Sequence, residues 1–404
     1  RINIQEQVDQ QKTNTAKTNQ CEQAQEKKIP FVQLHGAKVK RLRGHSYLYP
    51  MSKKEEKRTE VNELGEFGLI KVLTSRFKNQ NSSTLTGVGD DAAVIKCSKD
   101  KVAVVSTDML IEGIHFDLMY TPLRHLGYKS VVVNLSDIYA MNAVPEQITV
   151  SIGISNRFSV EALEEFYEGV KAACDFYEVD LVGGDTSSSI KGFIVSVTAI
   201  GQAEKKALCY RNGAKKGDLI CVSGDLGGAL LGLQLLEREK QVYKENPEIQ
   251  PDLNNQKYIV GRQLKPEARK DIIELFKKVG IKPTAMMDIS DGLSSELMHI
   301  CTQSRVGCYI YEDSVPILNE VYEFALEMNL EPITCAMNGG EDYELLFTID
   351  PKDREKLENI PGIAIIGDIR PEDKGYYIES KQGKKHEIKA QGWDSFLKVL
   401  KSRD

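Results

Sequence analysis

Residues 87–95 read Gly-Val-Gly-Asp-Asp-Ala-Ala-Val-Ile, a glycine-rich turn that presents two adjacent carboxylates and runs straight into an apolar, strand-like segment. The idea recurs downstream. Aspartates sit at the ends of hydrophobic runs at Asp108, Asp137, Asp185, Asp288 and Asp291, and no matching set of His or Cys accompanies them. Hard oxygen donors of this kind suit Mg²⁺ rather than zinc, because Mg²⁺ is satisfied by a few carboxylates with water and phosphate oxygens. The pattern points to phosphate chemistry.

A chain of 404 residues exceeds one ordinary core and implies two domains with an appendage. No apolar run approaches the roughly 18 residues of a membrane span, so no membrane partner is expected. The net charge of −6 argues against a general nucleic-acid binder. Residues 1–50 hold nine Lys and Arg against four Asp and Glu, so the rest of the chain carries −11. An acidic body that handles polyanions needs metal ions to mask the repulsion. The eight cysteines form no C-x-x-C pair and mostly lie in apolar runs, as free thiols of a reducing cytoplasm do. Residues 1–58 are polar, without sustained periodicity, and are expected to be disordered or a non-native extension, with Met51 a credible start. Two α/β domains are expected after them, at 59–204 and 205–398.

The periodicity predicts a helix carrying Leu64 to Leu73, strands at 92–95 and 102–107, and a loop from Asp108 to Asp117. A helix carrying residues 131–141, a strand at 147–153 and a helix at 159–177 capped by Ser159 follow. Leu181-Val182 is read as a strand that ends at the Gly-Gly-Asp-Thr of 183–186, and Phe193 to Ile200 as another. The second half is read as strands at 218–223, 307–311, 344–349 and 363–366, with helices near 226–239, 266–279 and 291–304. A polar insertion is placed at 240–257. The fold class is α/β of mixed, two-layer type.

Adjacent Asp90 and Asp91 point to opposite sides of an extended segment, so one enters a site and the other braces the turn. Ser106-Thr107-Asp108 ends a strand in two hydroxyls and a carboxylate. His115, in a glycine-flexed loop, can bond an anion. Asp137 stands on a helix among apolar neighbours, where a carboxylate is expensive unless paired or bound to metal. Around Asp288-Ile289-Ser290-Asp291, one acid or the serine makes an ordinary N-cap, which leaves an acid unexplained. Gly340-Glu341-Asp342-Tyr343-Glu344-Leu345 places three acids and an aromatic just before an apolar strand. Neither a Walker pattern nor a protein-kinase signature occurs.

Together with Arg262-x-Leu264-x-Pro266-x-x-Arg269, these motifs resemble the thiamine-monophosphate kinase family, in the superfamily of aminoimidazole ribonucleotide synthetase. The resemblance runs from about Gly65 to Phe396. It implies aminoimidazole ribonucleotide synthetase-like N-terminal and C-terminal domains, pairing of the N-terminal sheet in a homodimer, and ATP-dependent phosphorylation of thiamine monophosphate to thiamine diphosphate by direct transfer. It implies that Asp91, Ser106, Thr107, Asp108, Asp137, Asp185, Asp288 and Asp291 hold several Mg²⁺ ions, with Asp137, Asp108 and Asp288 central to catalysis. Gly184, Asp185, Arg211 and Ser290 would contact ATP, and His115, Glu341 and Trp393 the acceptor. Another ATP-using enzyme of the superfamily, or a silent nucleotide-binding regulator, is the alternative.

Overall fold

The computed structural model describes residues 61–75, 79–249, 251, 253–358 and 360–389. The expected tail at 1–58 and the proposed acceptor contact Trp393 lie outside them. The architecture is α/β, built on two mixed sheets.

After helix α1 (Val61–Thr74), the first sheet takes strands β1 (Thr84–Thr86), β2 (Ala93–Lys96), β3 (Lys101–Ile111), β4 (Val144–Ile154), β5 (Asp180–Ser188) and β6 (Ile194–Glu204). Their spatial order is β1-β2-β3-β6-β4-β5. All neighbours are antiparallel except β4 and β5, whose crossover is helix α3 (Val160–Tyr177). Helix α2 (Leu123–Ala140) joins β3 to β4 and packs on β3, β4 and β6. Its Leu126, Val131, Val132, Leu135 and Ile138 are buried with Phe166, Phe193 and Val197. The crossing of α2 and α3 is tight because two glycines meet it: a Cβ on Gly127 would lie 1.9 Å from the Phe166 carbonyl oxygen, and one on Gly169 1.9 Å from that of Arg124. Ser159 caps α3 as expected, its hydroxyl accepting from the Ala162 N–H. The other face of the sheet is open, with Thr107 and Met109 exposed.

The second sheet contains β7 (Leu219–Ser223), β8 (Ala285–Asp288), β9 (Val306–Tyr311), β10 (Leu345–Ile349), β11 (Ile363–Pro371), β12 (Tyr376–Glu379) and β13 (Lys385–Glu387). Its order is β13-β12-β9-β11-β7-β10-β8. Helices α4 (Gly228–Glu245), α5 (Lys257–Leu264), α6 (Lys270–Val279), α7 (Leu293–Ser304), α8 (Asn319–Glu327), α9 (Pro332–Asn338) and α10 (Arg354–Leu357) accompany it.

Four sequence expectations change. Strand β3 continues through Asp108 to Ile111, held by its ladder with β6, so Asp108 is a strand residue and not the start of a loop. The Gly-Gly-Asp-Thr at 183–186 lies inside β5, where parallel pairing with β4 overrides the poor strand propensity of Gly and Asp. The stretch read as a polar insertion is helical at its start, since α4 runs to Glu245. The helix expected from residue 266 begins at Lys270, because the chain around Pro266 links two separate helices.

Candidate active site

Helix α2 packs on β3 and carries Lys129, Asn134, Ser136 and Asp137 of the site. The pairing of β2 with β3 ends at Val105, which leaves the next residues of β3 open on that side. There the Asp108 N–H donates to the Asn134 side-chain oxygen at 2.9 Å, and the Ser106 hydroxyl donates to Asp137. One turn of α2 supplies all of this. Ser136 donates to Asp288 at 2.6 Å, tying the end of β8 to the same helix.

Asp91, Asp137 and Asp288 each bring a carboxylate oxygen within 4.8 Å of the others, which makes them the metal-competent group among the described residues. Asp91 and Asp288 are buried, and Asp137 is exposed only in part. Enclosure, then the charges of Asp108, Asp288 and Asp91, push the Asp137 carboxyl well above the ordinary carboxylate range. Burial and Asp91 push Asp288 up to about 7. One Asp91 oxygen takes the Arg211 guanidinium at 2.6 Å, while its other oxygen is buried without a partner. Three crowded oxygen donors and an orphaned carboxylate oxygen fit a small divalent cation, which would relieve the mutual repulsion and complete the bonding.

Asp90 has the bracing role expected of it. Its carboxylate accepts from the Asp91 N–H at 3.0 Å and the Arg211 N–H at 3.3 Å, which fixes the Gly87–Asp91 turn against the chain before β7.

The acidic motif that leads into β10 alternates in purpose. Residues 341 to 344 zip against 289 and 290: the Glu341 N–H donates to the Ser290 carbonyl, Tyr343 to that of Ile289, and the Ile289 N–H to that of Glu344. Glu341 and Tyr343 adopt left-handed backbone, φ 65° and 51°, a conformation that non-glycine residues keep only where their surroundings impose it. Glu341 is thereby directed toward Lys129 and Gln263, and Asp342 turns inward to accept from the Gly227 and Ala229 N–H groups at the start of α4. Glu344 is gripped by Arg262, Arg269 and the Ser223 hydroxyl. The first helical turn of α4 is thus already occupied by a carboxylate of the protein itself.

His115 follows β3 in a loop, half-buried, its Nδ1 accepting from the Ile111 N–H at 3.0 Å. Burial lowers its titration, opposed by Glu341 and reinforced by Lys129, so the three groups share one polar region. With Nδ1 as acceptor, the neutral ring carries its proton on Nε2.

The Thr107 hydroxyl and Asp185 lie away from this cluster. The Thr107 hydroxyl points to the opposite face of the sheet, donating to the Val197 carbonyl and accepting from Thr198, as strand alternation requires. Asp185 on β5 is separated from Asp108 by β6 and β4, three inter-strand steps of about 4.8 Å each. Its carboxylate accepts from the Thr186 N–H on an exposed edge strand. Beside it, Gly184 is required, since a Cβ there would meet the Val150 carbonyl oxygen at 1.8 Å. Neither Ser290 nor Asp291 caps α7. Gly292 occupies that position, and the Asp291 N–H donates instead to the buried Glu296. Asn134, Ser136, Lys129, Gln263 and Tyr343 are the contributors that the sequence reading gave no role.

The sequence matches the AIR synthase related protein family, its N-terminal domain over residues 89–203 and its C-terminal domain over 215–378. It is 34% identical to the thiamine-monophosphate kinase of Aquifex aeolicus over 83% of this chain and 99% of that protein. It is 33% identical to the thiamine-monophosphate kinase of Bacillus subtilis, over 82% and 100% of the respective chains. The chain belongs to the thiamine-monophosphate kinase family. A solved structure of a member, described as AaThiL complexed with AMPPCP and TMP, superposes with a TM-score of 0.72 at 32% identity, covering 84% of this chain and all of that one.

Carboxylate ligands would make metal affinity pH-dependent. Mg²⁺ binding, followed by titration calorimetry in buffers of different ionisation enthalpy, is expected to release protons and to weaken as pH falls through about 7, where Asp288 takes up its proton. Affinity that is flat from pH 6 to 8 would contradict the carboxylate site.

Proposed function

We propose that the chain transfers the γ-phosphoryl group of ATP in line onto the phosphate of thiamine monophosphate, giving thiamine diphosphate, the last step of its synthesis. The observation that carries the reading is the convergence of Asp91, Asp137 and Asp288, with one Asp91 oxygen left without a partner, in a chain of this family. Asp91, Asp137 and Asp288, with Asp108 and Asp291, would hold Mg²⁺, which when bound supplies charge neutralisation between two polyanions. Ser106 aims Asp137. With its hydroxyl engaged elsewhere, Thr107 has its backbone to offer. Gly184, Asp185, Arg211 and Ser290 are assigned to the nucleotide, and His115, Glu341 and Trp393 to the acceptor.

No strong general base is required. A phosphate monoester has its second pKa near ~6 and is largely ionised at neutral pH. What remains is positioning and electrostatics, which usually dominate phosphoryl transfer. Arg211, already beside Asp91, would meet both the metal ligands and a nucleotide phosphate.

Two domains are proposed at 59–204 and 205–398, and the family matches fall inside them. A homodimer is proposed through the first sheet, supported by its open face and by edge strand β5, on which Leu181 is 45% and Val182 58% exposed. The cytoplasm is the proposed location. The seven described cysteines are free thiols, and among the described residues no helix is long and apolar enough to cross a membrane.

Purified protein incubated with ATP, Mg²⁺ and thiamine monophosphate is expected to yield ADP and thiamine diphosphate in equal amounts. ADP release with a different acceptor alone would overturn the proposal.

A further inference from the structure

Lys129 is 3% exposed, in a stretch of α2 that is otherwise packed against the core. A buried ammonium is tolerated only when its bonds are supplied, and two elements distant in sequence supply them. The Lys129 Nζ donates to the Gln263 carbonyl at the end of α5 at 3.0 Å and pairs with Glu341 Oε1 at 3.0 Å. The Gln263 side chain donates to the other Glu341 oxygen at 2.6 Å. Both carboxylate oxygens are therefore fixed, while the Glu341 side chain keeps 27% of its surface exposed.

We infer that Lys129 is a positioning residue of the acceptor side, acting through Glu341: it holds that carboxylate in one orientation and cancels its charge. The inference rests on the assignment of Glu341 and His115 to the acceptor. A free carboxylate there would repel the dianionic phosphate that the acceptor must bring. Paired with a buried ammonium, it can still accept hydrogen bonds without presenting a net negative charge. Lys129 also stands eight residues before Asp137 on one continuous helix, roughly 12 Å along its axis. The same rigid element therefore sets the spacing between the acceptor region and the carboxylate cluster.

The test is steady-state kinetics of Lys129→Met, with Glu341→Gln and the double variant, each checked for folding by thermal melting. The acceptor KM of Lys129→Met should rise tenfold or more, the scale of losing a hydrogen bond to a charged group, with kcat and the ATP KM changed less than about threefold. The double variant should be no worse than the poorer single one, because the lysine acts through the glutamate. Lys129→Arg should recover part of the loss. Should Lys129→Met fail to fold, Gln263→Met removes the second anchor of Glu341 and should give the same selective rise. If the wild type turns over thiamine monophosphate, an acceptor KM left unchanged by Lys129→Met, or additive effects in the double variant, overturns the role of Lys129. A wild type that does not turn over thiamine monophosphate instead overturns the acceptor assignment beneath it.

Discussion

Asp137→Asn is expected to lower kcat by on the order of 10³-fold or more while leaving the protein folded. Asp137 is the carboxylate common to the cluster: it faces Asp91 and Asp288, feels Asp108, and is aimed by the Ser106 hydroxyl. An amide has the same shape and keeps an acceptor for Ser106, but it contributes no charge to a divalent ion. The stability consequence runs opposite to the activity. Asp137 and Asp288 titrate higher in the folded, metal-free protein than in the unfolded chain, so the folded state binds more protons in the interval above the ordinary carboxylate pKa, up to about 7 for Asp288. Their contribution to stability is therefore present at acid pH and is lost as pH rises through the folded values. Asn at 137 removes part of that loss. The metal-free variant should melt at or above wild type at pH 8, with the difference shrinking toward pH 5, and Mg²⁺ should raise its melting temperature less than it raises that of wild type. An unfolded variant, or full turnover in excess Mg²⁺, would show that Asp137 serves the fold and not the metal.

The parts of this site that could be read from sequence are those that depend on residue type. Carboxylates at the ends of apolar runs, without His or Cys, suit a hard cation when they are brought together, and three of the expected aspartates do converge. Ser159 was legible as a cap because capping is local, completed within the first turn of its helix. Pairing partners are not local. Asp185 sits in a glycine-rich segment with the chemistry of a turn, and only the parallel ladder to β4 makes it a strand residue at the far side of the sheet. β8 is four residues, Ala-Met-Met-Asp, without β-branching or measurable alternation, and it exists because β10 pairs with it. Asp90 and Asp91 do take different partners, but in a bend that precedes β2 and not in the extended segment that alternation assumed. Applied to β3, the same rule sends the Thr107 hydroxyl away from Ser106 and Asp108, as the structure shows. Lys129 was hidden for a different reason: a lysine on a helix ordinarily reads as a solvated residue, and its burial depends on Gln263 and Glu341, which lie more than 130 residues away.

Arg262→Met is expected to destabilise the fold by about 3–5 kcal/mol, the cost of leaving buried carboxylates without their counter-charge. The motif Arg-x-Leu-x-Pro-x-x-Arg contributed to the family resemblance, yet its two arginines do not reach the carboxylate cluster. Arg262 donates to Glu344 at 3.0 Å and to the carbonyls of Asp342 and Asp225 at 3.0 and 3.1 Å, while Arg269 closes on Glu344 from the other side. Asp342 is wholly buried as the cap of α4, and burial already pushes its carboxyl up to about 6 even with Arg262 beside it. Without the guanidinium that carboxyl should titrate higher still, and the turn that holds Glu341 and Tyr343 in left-handed backbone loses its brace. Chemical denaturation should show a lower midpoint, with activity falling alongside it through the misplaced Glu341. Arg262→Lys keeps the charge but cannot span Glu344 and two carbonyls at once, so it should fall between wild type and Met. A wild-type midpoint for Arg262→Met accompanied by lost activity would move Arg262 from the scaffold into the chemistry.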